Sequence, residues 1–369
     1  MSETTFSKVK FRIRILYQTI LIRKNSKKSL ILFGGNTKKQ DGPLLTVAKI
    51  AKKKQLDVVI CTEELHLDLP TKNGDSLESR LNSLGMTWLK LKELTPLELS
   101  RIMNENSIGF SLNSIWIFKK DIIDLFNGQI YNYHDTPLPQ FRGAAAYSWM
   151  ILMNQKEWGL TIHKVTDSLD VGDIVKQRKF KFPNSCRIPS DFYEYKTKFE
   201  ERFFSEFLDD VFSGRKLKAF KQKNQKSSYW PRLSTPLNGF INWNWEIRDI
   251  ELFTRAFDDP HQGASTFIDG KRVFLKECFM KGESTNHHPF QNGLIYRIYD
   301  QKIFVSARGG SLVIHKIYDT KGNMINDDLR VGHRFHTPQK ILDIAMTRRT
   351  NSKIIEQIEL RKINLDKLI

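Results

Sequence analysis

Short apolar runs recur along the first part of the chain, separated by segments with a helical period. Leu30, Ile31, Leu32 and Phe33 form one run, and Val58, Val59, Ile60 and Cys61 another. Between them Leu44, Val47, Ala48 and Ala51 recur at spacings of three and four, which predicts a helix over 44–54 between two buried strands. A helix opened by Pro96 over 95–106 precedes a strand at 108–112, and a helix over 119–126 precedes a strand at 129–133. The order strand, helix, strand predicts a parallel sheet with right-handed crossovers, whose ligand lies at the carboxyl ends of the strands. The clearest helix spans 191–212. Ser190 is placed to cap it, Phe192, Tyr195, Phe199, Phe203, Phe207 and Val211 mark one face, and Gly214 ends it. Those aromatics are expected in the core.

Beyond this helix the period changes. Lys221 to Ser228 is polar and reads as a linker, and short strands follow at 263–267, 271–277, 293–299, 302–307 and 311–317, separated by Gly or Asp turns. A small β barrel or sandwich is expected there. At the other end, residues 8–23 alternate apolar and basic side chains with no turn joining them tightly to the first strand, and are expected to be a peripheral tail.

Charge changes this picture less than its size suggests. The 369 residues carry 59 Lys+Arg against 41 Asp+Glu, a net +18, which favours a polyanionic partner. The first 28 residues hold +7 of it and residues 345–369 another +3, leaving +8 for the body. A hydrophobic fraction of 40% and a charged fraction of 27% fit an ordinary globular protein and exclude a disordered chain. No apolar run reaches the ~20 residues a membrane helix needs, and Cys61, Cys186 and Cys278 are widely spaced. A soluble cytoplasmic protein without disulfides or a zinc site is expected. His287 and His288 sit in a turn without partner ligands, so no metal is called for. Gly34 and Gly35 lack the spacing of a dinucleotide loop.

The chemistry is concentrated in residues 130–174. Asn132 and His134 are two apart on a strand and so face one side together. An amide donor beside an imidazole suits acyl transfer: the amide holds a developing oxyanion while the imidazole donates to it or handles the proton. A second polar loop, 166–173, offers a carboxylate to the imidazole. Taken alone, these residues fit a turn Asn, a half-buried His and a capping Asp equally well.

The wider pattern decides between these readings. Asn132, His134, Leu138, Pro139, Arg142, Gly143 and Ala144, followed by Gly159, Thr161, His163, Asp170, Gly172 and Asp173, resemble the motifs of the folate-dependent formyltransferases. Thr136 stands where that family usually has serine, keeping the hydroxyl. The resemblance runs from about 29 to 337, continuing through Ser228–Leu233, Gly239–Trp243, Arg255, Phe257, Gly263 and Ala264. It implies an α/β fold: a Rossmann-like parallel-sheet formyltransferase domain followed by a small C-terminal β domain of OB type. The expected organisation is a basic extension at 1–28, a catalytic domain at 29–220, a linker at 221–228, a β domain at 229–337 and a tail at 338–369. It further implies that Asn132, His134 and Asp170 are catalytic and that 10-formyltetrahydrofolate is the formyl donor. Asn113, Ile115, Trp116, Val165, Asp167 and Asp173 are expected near the folate. Thr136, Arg142 and His163 are expected to contact substrate, although His163 reads equally well as structural.

The acceptor is a primary amine of one of two kinds. Positive charge and the second domain favour initiator tRNA, as in methionyl-tRNA formyltransferases. Two departures favour a small amine, such as a nucleotide-linked amino sugar. Phe33-Gly34-Gly35-Asn36-Thr37 replaces the usual Gly-Thr-Pro start, and Thr62–Pro70 is acidic where tRNA-formylating enzymes carry a basic loop. Hydrolysis of the folate and non-catalytic nucleic-acid binding are the rival classes. The first is disfavoured by the β domain, the second by the complete triad.

Overall fold

Alternating side-chain direction on a central seven-stranded sheet sorts the apolar residues of the first unit into two cores. The computed structural model describes residues 28–35, 41–69, 71, 73–282 and 287–347. Its strands are Ser29–Gly34 (β1), Asp57–Thr62 (β2), Thr87–Lys90 (β3), Ile108–Leu112 (β4), Ile130–His134 (β5), Arg142–Gly143 (β6), Glu157–Lys164 (β7) and Ile174–Lys181 (β8). The sheet order is β3-β2-β1-β4-β5-β7-β8. Neighbours from β3 to β5 are parallel, and β7 joins β5 antiparallel, so the sheet is mixed at the end where the polar loops lie. Leu30, Leu32, Ile60, Phe110 and Leu112 face the helix Pro43–Lys53 and the later turns of the helix Pro189–Phe212, represented by Phe203, Phe204 and Phe207. Ile31, Phe33, Val59 and Cys61 point the other way, onto Ile122, Phe126 and Phe118. Sealed there, the Cys61 thiol is pushed far above its ordinary value by burial.

The chain divides into two compact units that are interleaved along the sequence. One comprises 1–142, 159–180 and 197–229; the other comprises 143–158, 181–196 and 230–369. In the second unit, after Tyr229–Trp230 (β9), the strands are Ala264–Ile268 (β10), Lys271–Lys281 (β11), Ile295–Tyr299 (β12), Lys302–Ala307 (β13) and Gly310–Tyr318 (β14). Every pair in its five-stranded sheet, β10-β11-β14-β13-β12, is antiparallel. These strands lie within a few residues of the apolar runs that predict them.

Four elements differ from expectation in ways that bear on the fold. The helix expected over 95–106 stops at Ser100, because Asn104 and Ser107 exchange side-chain and backbone hydrogen bonds that compete with the helix. Edge strands β3 and β8 are additions to the expected set; β3 is four residues long and β8 is rich in Lys and Arg, so neither shows a strand pattern. The segment beyond 337, expected as a tail, begins with the helix Gln339–Thr347, whose Ile341, Leu342 and Ala345 are buried with Phe240. Residues 348–369 and the basic extension up to Lys27 lie outside the described residues. Among the described residues no helix is long and apolar enough to cross a membrane.

Phe33 is fully buried and meets Trp116, Phe118 and Phe126 edge-on at centroid distances of 6.5, 5.2 and 5.9 Å. Phe33→Ala is expected to lower stability by about 3–5 kcal/mol, read from the denaturant midpoint at unchanged m-value.

Candidate active site

Strand β5 builds a wall with one face and a site with the other. The Tyr131 ring packs against Phe207 at 5.3 Å and the Tyr133 ring against Phe204 at 4.8 Å. The Tyr133 hydroxyl also donates to Glu200 at 2.6 Å. With the tyrosines directed into the core, Asn132 and His134 must share the opposite face. Antiparallel pairing with β7 sets His163 directly opposite Asn132 and Thr161 opposite His134. Cross-strand partners of this kind are close enough for side-chain contact.

Asn132 Nδ2 lies 3.1 Å from His163 Nε2, and His163 Nδ1 lies 2.8 Å from the Lys164 carbonyl oxygen. A carbonyl can only accept, so Nδ1 donates; in the neutral ring Nε2 is then the acceptor for the asparagine amide. That fixes the amide with its nitrogen toward β7. One of its two hydrogens goes to His163, and the second is there to offer.

His134 is fixed differently. Its Nε2 donates to the Phe141 carbonyl oxygen at 2.7 Å, which also accepts the Thr136 hydroxyl at 2.7 Å. The intervening turn contains Pro137 and Pro139 and is tied to the sheet. The Thr161 hydroxyl donates to the Thr136 carbonyl at 2.6 Å, and the Gln177 amide donates to the Leu138 carbonyl at 2.9 Å. Both lone-pair directions of the Phe141 carbonyl are occupied, so the imidazole presents Nδ1 to the site.

Asp170 comes from the loop between β7 and β8, closed at its base by Lys164 N–H donating to the Asp173 carbonyl at 2.9 Å. Its side chain is 6% exposed, with Oδ1 3.8 Å from His134 Nδ1 and 3.6 Å from His163 Nε2. The two imidazoles stand nearly perpendicular, their centroids 6.5 Å apart, with the carboxylate within reach of both. The Asp170 backbone is left-handed, at φ 55°, a conformation that is uncommon for a residue with a Cβ. Two carbonyls of this loop share a donor: Gln222 Nε2 donates to Asp170 O at 2.9 Å and to Gly172 O at 2.8 Å.

The structure thus brings Asn132, His134, His163 and Asp170 together. Thr136 is buried in the turn beneath them. Arg142 donates through Nε and Nη2 to Gln222 Oε1 at 3.1 and 2.8 Å. Asn113, exposed and at φ 58°, and exposed Ile115 follow the carboxyl end of β4, which neighbours β5. Trp116 is edge-on to Phe33, and its buried indole N–H has no partner among the described residues. Val165 N–H donates to the Ile130 carbonyl at 3.0 Å, Asp167 is exposed, and Asp173 closes the loop base. Phe141, Gln177 and Gln222 escape sequence reasoning, and Thr161 enters it only as a motif position without a role. Phe141 acts through its carbonyl, and Gln222 lies in a polar stretch without period. Thr161 alone carried a signal, sharing a strand face with His163.

Two family models match this chain. The formyl transferase model covers residues 115–200, which include the whole cluster, and the formyl transferase C-terminal domain model covers 234–329. The chain belongs to the formyl transferase family. Its curated relatives in that family include the methionyl-tRNA formyltransferase of Geobacter sulfurreducens, 27% identical over 201 residues, 54% of this chain and 61% of that one. The enzyme of the same name from Syntrophus aciditrophicus is 28% identical over 236 residues, 60% and 69% of the two chains. Solved family structures share the fold. The sugar 3N-formyl transferase WlaRD, solved with dTDP and 5-N-formyl-THF, superposes with a TM-score of 0.58 at 20% identity, covering 79% of this chain and 97% of that one. The N-formyltransferase of Helicobacter canadensis, solved with folinic acid and dTDP-3-aminofucose, gives 0.59 at 20% identity, covering 79% and 99%.

The glycine of the Asp-x-Gly-Asp motif has a steric reason here: a Cβ on Gly172 would stand 1.8 Å from the Lys164 carbonyl oxygen. Gly172→Ala forces one side of this backbone contact to move, and is expected to lower stability by about 1–3 kcal/mol in denaturant unfolding.

Proposed function

We propose that this chain is an N-formyltransferase that moves a formyl group from 10-formyltetrahydrofolate to a primary amine, the acceptor being a small amine such as a nucleotide-linked amino sugar. The observation that carries the reaction class is the side-by-side placement of the Asn132 amide, the Nδ1 edge of His134 and the buried Asp170 carboxylate. This donor set fits an acyl donor: the folate supplies a formyl carbon open to attack by an amine. As the amine adds, the second Nδ2 hydrogen of Asn132 holds the developing oxyanion. His134, with Nε2–H committed to Phe141, has its Nδ1 lone pair to take the proton released by the amine. The imidazolium so formed has Asp170 beside Nδ1 and returns the proton to the departing folate nitrogen. One N–H bond is lost at the amine and one is gained at the folate. His163 positions the asparagine rather than contacting the reacting atoms.

The small acceptor is supported by the segment after β2. There Glu63, Glu64 and Asp68 surround the short helix Glu64–Leu67, and Glu64 is paired with Lys90 at 2.8 Å. The Lys90 ammonium, hydrogen-bonded to it, holds the Glu64 carboxyl below its ordinary value. Glu63 and Asp68 add negative charge beside this pair, which disfavours an approaching nucleic-acid backbone. A second reading, methionyl-tRNA as acceptor, is favoured by the names of the curated relatives.

Incubation of the purified protein with 10-formyltetrahydrofolate and a panel of nucleotide amino sugars or charged initiator tRNA separates these readings. Formylated sugar is expected; tRNA formylation without sugar turnover overturns the small-acceptor reading. Formate release without any amine would instead point to a hydrolase. Asp170→Asn is expected to reduce kcat by about 100-fold or more at little change in donor KM, because it removes the carboxylate beside the imidazolium. Wild-type turnover in that variant would remove Asp170 from the mechanism.

A further inference from the structure

Asp170 holds a left-handed backbone conformation, and two of the hydrogen bonds to the carbonyls of its loop come from far along the sequence. Gln222 Nε2 reaches both the Asp170 and the Gly172 carbonyls, bridging a separation in sequence of 52 and 50 residues. Its other amide atom, Oε1, receives two hydrogens from the Arg142 guanidinium. The guanidinium cannot accept and an amide oxygen cannot donate, so this fork settles the orientation of the amide. The Gln222 NH₂ is thereby aimed at the loop. Arg142 Nη2 also donates to Asn224 Oδ1 at 3.2 Å, and Arg142 N–H donates to the Ser228 carbonyl at 3.0 Å, which anchors the arginine to the same strap of chain.

The residue before Arg142 is Phe141, whose carbonyl fixes His134. Two adjacent residues therefore control both halves of the pair, one through its carbonyl and the other through its guanidinium. We infer that Arg142 and Gln222 are positioning residues that act in series to hold the Asp170 carboxylate at its distance from His134, so that Arg142 orients the catalytic loop and does not bind substrate. The kinetic part of this inference rests on the formyltransferase reading, and the geometric part does not.

Gln222→Glu is the discriminating variant. It keeps the size of the side chain and strengthens the attraction to Arg142, but an ionised carboxylate cannot donate to the two loop carbonyls. Its thermal midpoint is expected to fall by only a few degrees, the two lost loop bonds being partly offset by the stronger pairing with Arg142. Its kcat is expected to fall about 10- to 100-fold with the folate KM unchanged, the size of effect that a small misplacement of a catalytic group produces. Arg142→Lys, which loses the fork and keeps the charge, is expected to lower kcat in the same way. The double variant is expected to be no worse than Gln222→Glu alone, because the two act through one loop.

A role in stability alone would lower the midpoint of Gln222→Glu and leave kcat untouched, and that result overturns the inference. Additive losses in the double variant overturn the serial arrangement. Crystal structures of the wild type and Gln222→Glu provide a readout that needs no substrate. The Asp170 Oδ1 to His134 Nδ1 separation, 3.8 Å here, is expected to widen in the variant. An unchanged separation overturns the inference whatever the acceptor proves to be, whereas a widened separation in a protein that formylates no amine counts against the formyltransferase reading alone.

Discussion

The two-residue alternation of strand β5 is the constraint on which the rest of the site depends. Tyr131 and Tyr133 anchor one face among the rings of the long helix, which leaves Asn132 and His134 no choice of side. A slip of one residue would exchange the tyrosines for Asn132 and His134 and bury an amide and an imidazole in an aromatic core. The polar face is therefore specified by the apolar one. The aromatic packing that stabilises the unit and the aim of the amide are one physical fact.

The antiparallel arrival of β7 completes this arrangement. A parallel neighbour would have shifted the cross-strand partners, whereas the observed register sets a histidine opposite the asparagine and a threonine opposite the other histidine. Each polar group on β5 thereby gains a partner that fixes its orientation: His163 for the Asn132 amide, and Thr161, through the Thr136 carbonyl, for the turn that holds His134. Fixed orientation matters in acyl transfer because a donor that must turn to meet the oxyanion loses much of its effect.

Much of this was legible in the residues. The alternation at 130–134, the prolines after it and the apolar period of the long helix are local patterns, and the motif matches add the loop that carries Asp170. The antiparallel turn of the sheet was not legible, since a strand shows its period and not its direction. Gln222 was not legible either. A residue that works through two backbone carbonyls and an arginine 80 positions away leaves no trace in spacing, and its surroundings, Lys221 to Ser228, have the composition of a linker. The acceptor is hardest to see because it depends on what the loops exclude. The net charge of the whole chain, much of it at the two ends, bears on it weakly.

The strap that carries Gln222 also sets an order of events during synthesis. The strand bearing Asn132 and His134, and the loop bearing Asp170, leave the ribosome well before residue 222. Until then the loop carbonyls lack their donor, and closing a connection of about 50 residues carries an entropic cost of its own. A nascent or truncated chain ending before this point has the groups that fix Asn132 and His134 but lacks the Gln222 bonds to the Asp170 loop. Completion of the Asp170 loop is thus a late event in the synthesis of the first unit.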